Sequence, residues 1–568
     1  NTTGDYNTAV GYAALDAITT DSYCTAVGYN ALTANTAGNQ TAVGRLALKS
    51  NTTGYENTAV GALALEDNTT GGSCVAVGVN ALSSNTTATE NTAVGHQALY
   101  LNTTGYHNTA LGRDALRANT TANSNTAIGR YCMGANTTGA NNTAVGQSAL
   151  SSNTTADNNT AVGMAAMTAN TTGTRNTAVG DNALSANTTA SDNTAIGSYA
   201  LDANTTGANN TAIGSDALKT NSTGSHNIAI GLNALEDCTG SNNIAIGVDA
   251  AANVTTGTLN TVVGRSALET CTTGGYNCAY GYNSLNNLTT GDENAAYGYS
   301  TMVNCTTGHS NAGCGSFALQ EVSTGTYNCA VGHSTLRRCS TGHHNIALGH
   351  SAGDHVTSGE HNVMIGRNAG TDISTGHSNV VIGYGAGADV TSNSNVFVGR
   401  SAGNTMTTGA GSVAVGAYAL STMTTQHQNT AVGYKALQDS IGNDNVAVGY
   451  HAGVEITTGI QNTCIGTYAG DNLTTTSSNT FVGHNAGAGS VSGSVNTYLG
   501  LNAGASMTTG SYNICLGYAS NSSSNTSDGQ CTLGDANIGT LRCNDTSISS
   551  LSDRRDKTDI VDLPIGLD

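Results

Sequence analysis

Asn57-Thr58-Ala59-Val60-Gly61 is a five-residue phrase that recurs, lightly varied, from one end of the chain to the other. With its glycine as a marker, the series runs Gly11, Gly28, Gly44, Gly61, Gly78, Gly95 and on to Gly534. Of the 31 intervals between the 32 markers, 27 are 17 residues and four are 16. A short period held over so many units denotes stacked repeats, each burying its apolar side against its neighbours. Segment 91–107 shows the whole unit. Asn91-Thr92-Ala93-Val94-Gly95 comes first, then Ala98-Leu99, then Asn102-Thr103-Thr104-Gly105, with two variable residues after each.

In Thr92-Ala93-Val94-Gly95 the small residues alternate with Thr and Val, which is the period of a strand. The block Asn102 to Gly105 has turn chemistry, because Gly takes positive φ freely and Asn tolerates it. All four 16-residue units lose their residue in or beside this block, as at Cys238-Thr239-Gly240. A βαβ unit needs about 30 residues, so the short period leaves room only for strands and turns. The expected fold is all-β: a β-solenoid, or β-roll, of about 32 coils of 17 residues. Each coil is expected to carry two short strands and two turns, with Ala-Leu in the second strand or a corner. At about 4.8 Å per coil the stack forms a rod of roughly 150 Å.

A compensation along the chain points to a shared interior. Early units pair Leu four residues after the marker with Asn seven after it, as in Leu99 with Asn102 and Leu150 with Asn153. Later units pair Gly with an apolar residue: Gly353 with Val356, Gly370 with Ile373, Gly403 with Met406, Gly453 with Ile456. The swap tends to keep core volume roughly constant, although Leu285 with Leu288 and Leu420 with Met423 break the pattern. The residue before the marker forms an aliphatic ladder: Val10, Val27, Val43, Val60, Val77, Val94, Leu111, Ile128, and so on to Leu533. If Ala and Gly fill the coil, that ladder faces out, and an apolar stripe of such length calls for a partner. A homotrimer packed through the ladder is the expectation; a monomer with the ladder inside is the alternative. The ladder lapses at Tyr280, Tyr297 and Cys314, where a local widening or kink is expected.

Composition excludes several functions. Charged residues are 9% of the chain, against about 25% in ordinary domains. The net charge of −19 argues against nucleic acid and anionic membranes, which require basic stripes. No apolar run reaches the 18 or so residues of a membrane span. Disorder is excluded by the strict register of the apolar residues. Among the 14 cysteines there is no CxxC pair. Cys238, Cys271, Cys305 and Cys339 each stand seven residues after a marker. One coil per unit sets them about 10 Å apart along the axis, outside disulfide reach. They read as small buried apolar residues, with metal ligation or inter-chain bridging as the alternatives, and no cofactor is expected. Acidic residues stand singly, with no paired site for an activity on other molecules. Tyr6, Tyr55, Tyr106, His107, His309, His343 and His344 lie in variable slots, where they read as surface decoration or as contacts to glycans.

The C-terminal part changes character. Residues 1–519 form the shaft, and 520–551 a degenerate last rung and neck. From 552 to 568 charge density jumps, with Ser550-Leu551-Ser552-Asp553-Arg554-Arg555-Asp556-Lys557-Thr558-Asp559-Ile560 spanning the boundary. This run resembles the start of the peptidase S74 intramolecular chaperone domain of phage tail fibres and tailspikes. The resemblance implies a trimerising chaperone that cuts itself between Ser552 and Asp553, with Ser552 as nucleophile and Lys557 as its base. It departs from the family in Asp556, where Leu is usual, and it covers only the domain's opening. The repeats resemble those that precede this domain in marine phage fibre proteins. They are also similar to the heads of YadA-like trimeric adhesins, through Asn-Ile-Ala-Ile-Gly at 227–231 and 243–247. These resemblances imply the trimeric shaft of a virion tail fibre, extracellular, attaching to a glycan or protein receptor on a host surface. A bacterial surface adhesin or extracellular filament is the alternative. An ice-binding solenoid is a minor one, because the Thr pairs fall in the turn block rather than as Thr-x-Thr on a strand.

Overall fold

The computed structural model describes residues 3–540 and 542. Ser552, Asp553 and Lys557 lie outside the described residues. The chain divides into two compact units, Asn1–His427 and Gln428–Asp568. The first holds strands β1 (Thr8–Val10) to β25 (Val413–Val415), and the second β26 (Thr430–Val432) to β32 (Cys531–Leu533). No helix occurs among the described residues.

Each repeat supplies one strand of three residues, ending just before its marker glycine. Within each unit every strand pairs in parallel with the strand of the next repeat. β6 (Thr92–Val94) on β7 (Thr109–Leu111) sets Thr92 opposite Thr109, Ala93 opposite Ala110 and Val94 opposite Leu111. In the second unit β29 (Thr480–Val482) meets β30 (Thr497–Leu499) in the same way. One repeat is therefore one winding of a parallel β-solenoid, as the period requires. The middle residue of the strand points inward, and Ala93 and Ala110 are fully buried.

The expected second strand does not form. The second and fourth residues after each marker from Gly11 to Gly500 adopt left-handed backbone angles, as at Gln97 (φ 55°) and Leu99 (φ 52°), which an extended chain cannot contain. The stretch is a tight turn whose amides still bond to adjacent coils. Gln97 N donates to Val79 O (3.0 Å) and Leu99 N to Ala115 O (3.0 Å), while Ala98 N closes back on Gly95 O (3.3 Å).

Asn102 and Gly105 also differ from expectation. They flank the bend at Thr103 and Thr104, but neither has positive φ; in this corner that angle falls on His107 (φ 58°). Gly105 is dictated by crowding, since a Cβ there would lie 2.3 Å from Ala122 O. Asn102 is buried and turns inward. Its Nδ2 donates to Asn85 Oδ1 of the preceding coil (3.0 Å) and to Gly105 O (2.9 Å).

The marker glycine answers to both constraints. Gly95 has φ 132°, and an added Cβ would stand 2.5 Å from the carbonyl oxygen of Gly112 in the next coil. A second buried asparagine ladder runs beside it: Asn125 N donates to Asn108 Oδ1 (3.0 Å), and Asn108 Nδ2 to Ala122 O (2.9 Å). Interior polarity is thus spent on links between coils, which buried amides require.

The volume compensation is visible atom by atom. A Cβ on Gly370 would meet Ile373 Cδ1 at 2.6 Å, and one on Gly453 would meet Ile456 Cδ1 at 2.8 Å. Larger residues at the strand centre use the same space: Gly403 faces Phe397, Gly487 faces Phe481, and Gly504 faces Tyr498. At Tyr280, Tyr297 and Cys314 no break in pairing appears. Tyr280 stands opposite Tyr297, and Tyr297 opposite Cys314, in the same register as elsewhere. These side chains point outward, so their volume places no load on the coil.

Candidate interaction faces

The strand alternation that buries Ala93 turns Thr92 and Val94 to the outside. Along this face Val10 is 58% exposed and Leu111 47%. Val43, Val60 and Val77 are exposed, while Val27, Val94 and Ile128 are half-buried. Parallel sheets normally have both faces covered, and here the outer one is bare. In the second unit Val448, Ile465, Leu499 and Leu533 continue the pattern.

Aromatic rows flank the ladder. Tyr12 stacks on Tyr29 (ring centroids 5.4 Å apart), Tyr282 on Tyr299 (5.5 Å) and His333 on His350 (5.1 Å). On another corner Tyr6 stacks on Tyr23 (5.2 Å), and Tyr327, His344 and His361 form a run. Rings stacked along the axis cover one another's faces and leave mainly edges for a sugar. Tyr55 and Tyr106 are exposed. His107 Nε2 lies 2.9 Å from Glu90, and His343 Nδ1 accepts from Thr326 N (3.1 Å). His309 packs edge-on to Tyr327.

The four cysteines seven residues after a marker behave as small core residues. Cys238, Cys271, Cys305 and Cys339 are fully buried and free. Burial pushes the thiols of Cys238 and Cys271 up to about 11, and those of Cys305 and Cys339 to about 12. Among the described residues no group of three or more His, Cys, Asp or Glu could hold a metal ion. No described helix is long and apolar enough to cross a membrane.

One group escaped the sequence reading. Arg113, Arg117 and Arg130 gather around Tyr131 and Asp114 beside an open hollow. The available signal was local charge, since between Glu90 and Asp157 the only acidic residue is Asp114. Neither a protein-family model nor a curated protein matches the chain.

Proposed function

We propose that this chain is the rigid shaft of a homotrimeric phage tail fibre or similar virion appendage, serving attachment to a host surface. The S74-like segment would act as a self-cleaving chaperone for trimer assembly. The observation that supports this reading is the aliphatic ladder, bare on a coil whose own interior is filled by Ala, Leu and Asn. Three such coils facing a common axis would cover it and gain about 25 cal/mol for each Å² of apolar surface removed from water. Stacked coils give reach and stiffness, and no constellation on the described faces suggests chemistry on other molecules.

Sedimentation equilibrium tests the assembly, with a particle of three times the 56.7 kDa chain expected. Replacing Val60, Val77 and Val94 together by Glu should dissociate it, because like charges would meet at the axis. A wild-type monomer would end the proposal. Intact mass tests the processing: a mature chain ending at Ser552 is expected, and retention of Lys557 in assembled fibres counts against it.

A cell-surface adhesin filament would use the same ladder and is separated from the virion reading by where labelled antibody binds in electron micrographs. Ice binding draws less support. The bare strand face is Thr-x-Val, and the first hydroxyl of the turn-block Thr pair is engaged, with Thr103 Oγ1 donating to Thr120 O (3.0 Å).

A further inference from the structure

Basic residues are sparse in this acidic chain, yet Arg113, Arg117 and Arg130, three of its 17 Lys and Arg, fall close together. The coil brings them closer. Arg113 and Arg130 each follow a marker glycine and stand on adjacent windings, while Arg117 leaves the far end of the first turn. Arg113 and Arg117, with Gln97, Asp114, Tyr131 and Gly134, line an open hollow of about 630 Å³, and Arg130 stands behind it against the Tyr131 ring.

Asp114 is 6% exposed and organises the group. Its carboxylate accepts from Arg113 Nε (3.1 Å) and lies 3.8 Å from Arg117 Nε. Both contacts use Nε, which leaves the terminal amino groups of these guanidiniums for another acceptor. Arg130 lies 4.6 Å from the centroid of the Tyr131 ring, and its Nη2 is 3.4 Å from the phenol oxygen. Arg130 first, then Arg113, hold that phenol below its usual range. Two arginines in the lining and a third behind Tyr131, against one aspartate, leave the hollow positive in a molecule of net charge −19.

Gly134 supplies an independent observation. It has no positive φ, and a Cβ there would find its nearest atom, Tyr131 O, at an ordinary 3.4 Å. Equivalent positions of neighbouring coils carry Tyr100, Arg117 and Ser151. The backbone therefore does not demand glycine, and its effect is to open the floor between Arg117 and Ser151.

We infer that this hollow is an anion-binding subsite for a carboxylate or phosphate group borne on a saccharide. Guanidinium forks match both groups bidentately, and the acidic remainder of the surface directs an anion to this place. The anion site stands on these residues alone; its saccharide carrier rests on the host-attachment reading.

Calorimetric titration of the full-length chain at low ionic strength tests it, with hyaluronan hexasaccharide as carboxylate probe, a glycerol-phosphate hexamer as phosphate probe and maltohexaose as neutral probe. Saturable binding of at least one charged probe is expected, weakening with salt, and none of maltohexaose. The tighter probe identifies the group. Gly134→Tyr, which installs the side chain of Tyr100, and Arg117→Ser, which installs that of Ser151, should each weaken binding by about tenfold or more. If Gly134→Tyr fails to fold, Arg117→Ser, altered at an exposed side chain, decides. Absence of binding by both charged probes overturns the inference, as does unchanged affinity in the folded variants. Oligomer mass, measured on the same samples, separates this outcome from failure of the trimer.

Discussion

Gly95 shows how narrowly a residue can be determined here. Its φ of 132° and the 2.5 Å approach of Gly112 O mean that Gly95→Ala incurs both backbone strain and a clash. A loss of about 2 kcal/mol or more is expected, read as a lower urea midpoint. Asn108→Ala should cost about 1–3 kcal/mol, because it strands the buried Asn125 amide and leaves the Ala122 carbonyl with Asn119 Nδ2 as its side-chain donor. Hydrogen exchange at Asn125 should accelerate correspondingly. The buried thiols give a pH prediction. Cys132, Cys305, Cys339 and Cys464 are raised by burial from 9.0 to about 12, and Cys74, Cys238 and Cys271 to about 11. Above pH 9 the unfolded chain releases protons that the folded chain retains, so stability falls as pH climbs from 9 towards 12. The urea midpoint should therefore drop between pH 8 and pH 10.5. At pH 8, iodoacetamide should label exposed Cys531 and spare Cys339 and Cys464, and Cys314, a ladder position, should be labelled only when the trimer is dissociated.

At the scale of one coil, bulk is conserved by trading positions. Gly453→Leu drives its side chain into Ile456 Cδ1, 2.8 Å from the new Cβ, and should destabilise by about 1–3 kcal/mol. Adding Ile456→Ser should restore most of that loss, since the preceding coil pairs Leu437 with Ser440 in the same buried places. A double-mutant cycle that came out additive would refute the shared space. Period, strand position and the Leu-for-Gly trade were all legible in the residues. The second strand was misread because Ala98-Leu99 looks like an apolar strand pair. Leucine rarely accepts φ near 52°, and nothing in its identity announces that backbone. Asn102 and Gly105 were recognised as a corner for the wrong reason. Asparagine serves turns by its own conformation in most proteins, whereas here its amide reaches the coil before it. The arginine hollow was hidden because its members gather across windings rather than along the sequence.

Across each unit, every residue meets a residue of the same rank one winding away. Removing 96–112, one whole period, joins Gly95 to Arg113 and preserves the rank of every contact. Its product should melt within a few degrees of the parent, whereas removing only 96–103 brings unlike ranks together and should unfold the coils around the cut. The glycine ladder carries a consequence for inheritance. Because each marker fits only against another marker, recombination between copies of the gene's own period lengthens or shortens the protein by whole windings and leaves no scar at the junction. A lineage can change its number of windings in a single generation, with the surviving rungs unaltered.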